Sequence, residues 1–335
     1  MREKRERDLY GIARLFRSRP DPGLRSAVCA VPLLTPTAMR HFVLLFALLS
    51  FTSAAHAQQD FSEVEIETTD LGGGVFMLTG AGGNIGLSVG DDGAFLIDDQ
   101  FAPLSEKIKA AVAAQTDAPI RFVVNTHWHG DHTGGNEAFG ESGAILVAHE
   151  NVRERMSTEQ FNAVFDRTTP ASPDAALPVV TFTDAVTFHW NGDAVHVVHV
   201  TPAHTDGDAV IHFREANVIH AGDTFFNGRY PYIDTSSGGS LQGVIDVAER
   251  LLALADADTQ IIPGHGPLGN RADLQTYRDV LVTARDRVQA RIEAGDSREA
   301  VVAARPMADY DATWGTGFME PDVWIGIVYD SLTAE

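Results

Sequence analysis

Three imidazoles and a carboxylate fall within six consecutive residues, His127-Trp128-His129-Gly130-Asp131-His132, directly after the apolar run Phe122-Val123-Val124. Neutral imidazole and carboxylate are ligands that zinc accepts. In an extended segment, residues two apart face the same way. His127, His129 and Asp131 are therefore expected to point into one pocket, with His132 turned toward a neighbouring spot. That arrangement suits two adjacent metal ions better than one. Further ligand candidates follow: His204 in Thr201-Pro202-Ala203-His204, Asp223 in Ala221-Gly222-Asp223-Thr224, and His265 in Pro263-Gly264-His265-Gly266. Together they make five histidines and two aspartates. Three protein ligands per ion use six, and the seventh can bridge with one carboxylate oxygen on each. Catalytic zinc keeps a position open for water, which fits that count.

The order His-x-His-x-Asp-His, a distant His, an Asp and a Gly-His-Gly resembles the metallo-β-lactamase superfamily of metallo-hydrolases, over roughly Val64 to the helix after His265. The resemblance implies an α/β fold, a four-layer αββα sandwich of two mixed sheets with helices outside. It also implies two zinc ions per chain. Carried over position by position, it puts His127, His129 and His204 on one ion, Asp131, His132 and His265 on the other, and Asp223 between them. A hydroxide held by the ions would attack the substrate carbonyl, because zinc lowers the pKa of bound water to about 7. Asp131 would orient that nucleophile as well as bind metal, and so is the candidate catalytic residue. Water is thus the nucleophile that the resemblance implies.

Asp98 ends the strand Phe95-Leu96-Ile97, where its carboxylate could accept the free N–H of a ligand histidine; turn capping is the ordinary alternative. The glycines near the ligands are expected to let backbone pass close to the metals. The remaining histidines, His220 among them, read as packed or surface residues.

True β-lactamases of this family often use a cysteine where Asp223 stands and a lysine three residues later. Here that later position is Phe226. Lys107 and Lys109 belong to a helix expected to lie away from the pocket. Arg229 is the nearest candidate clamp for a substrate carboxylate, with Tyr230 and Tyr232 beside it. The intervals of 19 residues from His204 to Asp223 and 42 from Asp223 to His265 resemble the compact β-lactamase branch. An all-Asp/His site resembles glyoxalase-II-type thioesterases and lactonases instead. The reading favoured from sequence is a β-lactamase-like hydrolase (an antibiotic-resistance activity) with loose substrate preference. A thioester or lactone substrate is the main alternative. A mononuclear iron enzyme oxidising persulfides, and a non-catalytic metal-binding protein, are alternatives of another class.

Met39-Arg40-His41, the apolar Phe42–Thr52 and Ala55-His56-Ala57 have the layout of a secretory signal peptide. The apolar run is too short to span a bilayer. Residues 1–57 are thus expected to be an upstream extension plus signal peptide, with translation starting at Met39 and residues 58–335 forming the hydrolase domain. A periplasmic or secreted location follows. The sole cysteine, Cys29, would be removed. Taking away the nine basic and four acidic residues before Gln58 from the chain's 25 and 46 leaves a formal net charge of about −26. Such a surface repels phosphate backbones, so the expected partner is a small-molecule substrate and not nucleic acid. The sequence specifies no oligomeric state.

Strands are expected at 75–78, 85–89, 94–97, 122–125, 144–148, 179–182, 186–189, 194–200, 209–213 and 218–220. Helices are expected at 103–114, 134–139, 151–157, 241–254 and 271–294. Thr158–Pro178 has little pattern and reads as a mobile loop beside the site. Phe318, Trp314 and Trp324 are expected to pack over the core.

Overall fold

A computed structural model describes residues 60–334. The expected leader, signal peptide and start at Met39 lie outside the described residues. Among the described residues, no helix is long and apolar enough to cross a membrane.

In chain order the strands are β1 (Glu67–Gly72), β2 (Val75–Thr79), β3 (Ile85–Ser88), β4 (Ala94–Ile97), β5 (Ile120–Val124), β6 (Ile145–His149), β7 (Gln160–Asn162), β8 (Arg167–Thr169), β9 (Val180–Phe182), β10 (Ala185–Trp190), β11 (Asp193–His199), β12 (Ala209–Phe213), β13 (Val218–His220), β14 (Gln260–Ile262) and β15 (Gly269–Asn270). The helices are α1 (Ser105–Ala113), α2 (Gly130–Thr133), α3 (Asn136–Glu141), α4 (Glu150–Met156), α5 (Leu241–Leu254), α6 (Arg271–Glu293), α7 (Arg298–Ala303), α8 (Asp311–Trp314) and α9 (Pro321–Ala334).

Two large sheets form, ordered β1-β2-β3-β4-β5-β6-β9 and β10-β11-β12-β13-β14-β15, beside a two-stranded β7-β8 ribbon. Both are mixed: β4, β5, β6 and β9 run parallel, as do β13 and β14, and the other pairs are antiparallel. Residue alternation along the strands sends one set of side chains between the sheets and the other toward helices. Val75, Met77, Phe95 and Val124 of the first sheet meet Val195, Val197, Ile211 and Phe213 of the second in a buried layer. On the far side of the first sheet, Leu87, Leu96, Val123 and Leu146 pack on Ile108 and Val112 of α1 and Phe139 of α3. On the far side of the second, Val210, Ile219 and Ile261 pack on apolar faces of α5, α6 and α9. The result is the four-layer αββα sandwich.

The element boundaries expected from periodicity hold for α5 and to within a residue for α6, where an Asn270–Asp273 capping box fixes the start. Three differences matter. The segment 158–178 is not patternless: it contains the β7–β8 hairpin. The C-terminal segment is helical, and Trp314 and Trp324 are buried. Phe318, however, is 71% exposed and does not pack over the core. The strands β1, β14 and β15 are too polar or too short to have been read from alternation.

Candidate metal centre

All seven candidate ligands follow strand ends, on loops and short helical turns at one end of the sandwich. The loop after β5 carries His127 and His129, and α2 carries Asp131 and His132. His204 follows β11, Asp223 lies in the turn Gly222–Thr224 after β13, and His265 follows β14. Their side chains gather into two groups: His127, His129, His204 and Asp223, and Asp131, His132 and His265. This corrects the expectation that His127, His129 and Asp131 share a pocket. The extended backbone ends at His129, whose φ and ψ are −64° and 147°, and helix begins at Gly130. Period two therefore stops before Asp131, which is carried to the side of His132.

The non-ligand nitrogens of four rings are held by neighbours, and this selects the atoms that face inward. His204 Nδ1 donates to the carbonyl of Tyr232 at 2.8 Å. His129 Nε2 donates to Asp234 Oδ2 at 2.9 Å. His132 Nδ1 donates to Asp98 Oδ2 at 2.7 Å. His127 Nδ1 donates to Thr126 Oγ1 at 3.0 Å, and that hydroxyl donates to the same Asp98 Oδ2 at 2.8 Å. Asp98 thus ties one histidine of each group to a single carboxylate. It is fully buried and holds a left-handed φ of 63°.

These partners leave His129 Nδ1 and His204 Nε2 as lone-pair donors, and the two atoms face each other at 2.8 Å. Two lone pairs at that separation repel unless a cation lies between them. His127 Nε2 is buried with no hydrogen-bond partner and lies 3.8 Å from Asp223 Oδ2. A nitrogen of that kind is costly to bury. The donor set, imidazole and carboxylate without thiolate, matches a divalent ion of the zinc type. The residues fit two such ions.

Electrostatics divide the groups. Burial draws the His127 and His204 imidazolium forms down, His204 to about 4, against the opposing pull of Asp223. Burial also acts on His132 and His265, but there Asp223 and Asp131 outweigh it: His265 is pushed up to about 9 and His132 well above the ordinary range. In return, burial notwithstanding, the imidazoles hold Asp131 and Asp223 below the usual carboxylate range. His265 Nε2 lies 3.3 Å from Asp131 Oδ2 and 3.4 Å from Asp223 Oδ2.

Several supporting residues carry no sequence signal. Asn84 donates from Nδ2 to the carbonyls of Pro263 and Gly266, each at 2.9 Å, clamping the His265 loop to β3. Asp208 accepts the backbone N–H of His204 at 2.7 Å and of Thr205 at 2.9 Å, and burial raises its carboxyl to about 7. Asp234 also accepts Ser237 Oγ at 2.7 Å. Close approach is needed at Gly264, where a Cβ would lie 2.0 Å from Asp223 Oδ1. His220 donates to the carbonyl of Asn84 at 3.0 Å and accepts the N–H of Gly222, a packed role.

Of the substrate candidates, Tyr232 is buried, with its ring 5.8 Å from that of His129 and 5.7 Å from that of His204. Arg229 is partly exposed, and its stem lies against Gly317. Tyr230 turns away and stacks on Trp324 at 3.9 Å. Phe226 stacks on His265 at 5.0 Å. Lys107 is occupied by the carbonyls of Phe61, Ser62 and Val64, and Lys109 by Glu106.

Residues 78–265 match the Metallo-beta-lactamase superfamily. A hydroxyacylglutathione hydrolase of Nitrosococcus oceani is 27% identical over 180 residues, which cover 53% of this chain and 60% of that protein. An acyl-coenzyme A thioesterase of Bos taurus is 24% identical over 46% of this chain and 59% of its own length. The chain thus spans about 60% of the length of these relatives. In structure, a metallo-beta-lactamase from Pontibacter korlensis aligns with a TM-score of 0.54 at 21% identity, over 65% of this chain and 99% of that one, a likeness of fold.

Proposed function

Since the chain belongs to the metallo-β-lactamase superfamily, we propose that it is an exported, dinuclear zinc hydrolase that cleaves the acyl C–S or C–O bond of a thioester, ester or lactone with an uncharged acyl group. The observation that carries this reading is the pair of inward lone-pair nitrogens, His129 Nδ1 and His204 Nε2, 2.8 Å apart beside the unpartnered His127 Nε2. His127, His129 and His204 would hold one ion, Asp131, His132 and His265 the other, with Asp223 shared. Zinc in such a cradle lowers the pKa of a bound water and polarises a carbonyl.

The chain's own residues supply position. Asp131 is the more open of the two carboxylates, with 29% of its side chain exposed against 5% for Asp223. It accepts a hydrogen bond from the attacking water and aims its free lone pair at the substrate. The neighbouring Phe226 and Tyr232 rings exclude bulk water. No lysine stands at position 226, and both described lysines are engaged elsewhere. This favours an acyl group without a carboxylate beside the scissile bond.

β-Lactam hydrolysis is the second reading, supported by the compact ligand intervals. It would require Arg229 to hold the substrate carboxylate. The zinc-loaded protein, purified as the cell processes it, is assayed on a glutathione thioester, an acyl-homoserine lactone, a nitrophenyl ester and a chromogenic cephalosporin. Turnover of the first three above the cephalosporin supports the proposal. Cephalosporin turnover alone, with a raised KM in Arg229→Ala, supports the second reading. One iron per chain without hydrolysis would favour the persulfide-oxidising class, and bound metal with no turnover a binding protein. A periplasmic or secreted product whose first residue is Gln58 tests the export.

A further inference from the structure

Large apolar side chains left in water beside a binding site ask what covers them. Phe165, at the tip of the β7–β8 hairpin, is 42% exposed, and Phe318, between α8 and α9, is 71% exposed. They come from segments about 150 residues apart, yet their rings meet at 5.4 Å. Phe165 in turn lies 5.1 Å from Tyr232, whose ring stacks on the candidate ligand His129 at 5.8 Å. Exposure falls along this series from 71% at Phe318 through 42% at Phe165 to 6% at Tyr232. An unbroken aromatic path therefore runs from solvent to the candidate metal centre.

The path is held in place. Asn162 Nδ2 donates to Tyr232 Oη at 2.5 Å, and the Ala163 N–H donates to Ser236 Oγ at 3.2 Å, so the hairpin leans on the segment that carries Tyr232. At its base, Arg155 makes a two-pronged bond to Asp206 at 2.6 and 2.7 Å and a third to Gln160. Asp206 is two residues from His204. The wall and the ligand loop thus share one anchor. The rings of the path are themselves uncharged and suit a hydrocarbon; Arg229, whose stem lies against Gly317 beside Phe318, stands at its outer end.

We propose that Phe165 and Phe318 are specificity-determining residues forming the floor of a subsite for an extended apolar chain, the acyl tail of the substrate, whose carbonyl end reaches the centre past Tyr232. This rests on the acyl-hydrolase reading for its substrate, but the subsite is testable without turnover. Each methylene laid on the floor is worth roughly threefold in affinity while the floor lasts.

The test compares wild type with Phe165→Ala, Phe318→Ala and the double variant. All are surface changes checked for unaltered metal content and thermal midpoint. Calorimetry measures acetate and decanoate binding, and kinetics measure kcat/KM for nitrophenyl acetate and decanoate. Wild type is expected to favour the ten-carbon member by more than about tenfold in both. The double variant is expected to lose most of that preference with acetate and acetyl values unchanged. Retention of the preference in the double variant, or its absence in wild type, overturns the subsite. Decanoate preference without any ester or thioester turnover keeps the subsite and overturns the hydrolase reading. Turnover without chain preference does the reverse.

Discussion

Replacing Asp98 by asparagine keeps volume and changes one atom, and the structure says what that does. Asp98 Oδ1 accepts the Thr126 N–H at 2.7 Å, while Oδ2 accepts from Thr126 Oγ1 at 2.8 Å and His132 Nδ1 at 2.7 Å. An amide offers one acceptor and one donor. If its NH2 replaces Oδ2, it donates to His132 Nδ1, which must then carry the lone pair. The ring proton moves to Nε2, the atom that faces Asp223 Oδ1 at 3.0 Å and would bind metal. If the NH2 replaces Oδ1, it opposes the buried Thr126 N–H, and an unpaired buried donor costs about 1–3 kcal/mol. Either orientation damages the centre. Metal affinity should fall by about 10- to 100-fold, and the ion-free protein should lose about 1–3 kcal/mol in urea unfolding. Competition with a chromophoric zinc chelator reads the first effect. An Asp98→Asn protein that binds zinc as tightly as wild type would refute the tautomer argument, even if it were less stable.

Three further outcomes are expected. Metal uptake should weaken as pH falls below about 9, because the proton on His265 must leave before its Nε2 can coordinate; each unit should cost about tenfold per proton displaced. Calorimetry in buffers of differing ionisation enthalpy counts those protons, and a pH-independent affinity would contradict the reading. Asp131→Asn should retain its thermal midpoint to within a few degrees and lose at least about a hundredfold in kcat, since it removes a positioned acceptor; full activity in the metal-replete variant would dismiss Asp131 from the reaction. Gly264→Ala would put a Cβ 2.0 Å from Asp223 Oδ1 and should abolish tight metal binding, whereas Gly130→Ala, with open space around its Cβ, should leave it unchanged. Equal affinities in these two variants would count against the close approach.

The candidate ligands were legible because metal chemistry would compress them: four fall in the six residues from His127 to His132, and Asp223 and His265 adjoin glycines in short turns. What periodicity could not say was where the backbone stops being extended. Helix starts at Gly130, and that one change moves Asp131 between groups. Asp234 and Asn84 were illegible for another reason. Each is a single polar residue in a loop, and its partner is 105 residues away for Asp234 and about 180 for Asn84. Nothing local distinguishes such a residue from a turn former. The hairpin at 160–169 was hidden because its strands are three residues each, with no alternation to detect. Phe318 misled because hydrophobic type predicts burial only on average. The sandwich itself followed from family resemblance; strand patterning identified most of its parts but not their order.

The candidate donors divide by sheet as well as by group. The four from the His127–His132 segment hang from the first sheet, while His204, Asp223 and His265 hang from the second. Each group draws on both. The proposed centre therefore belongs to the seam, and no fragment ending midway through the chain could retain a diluted version of it.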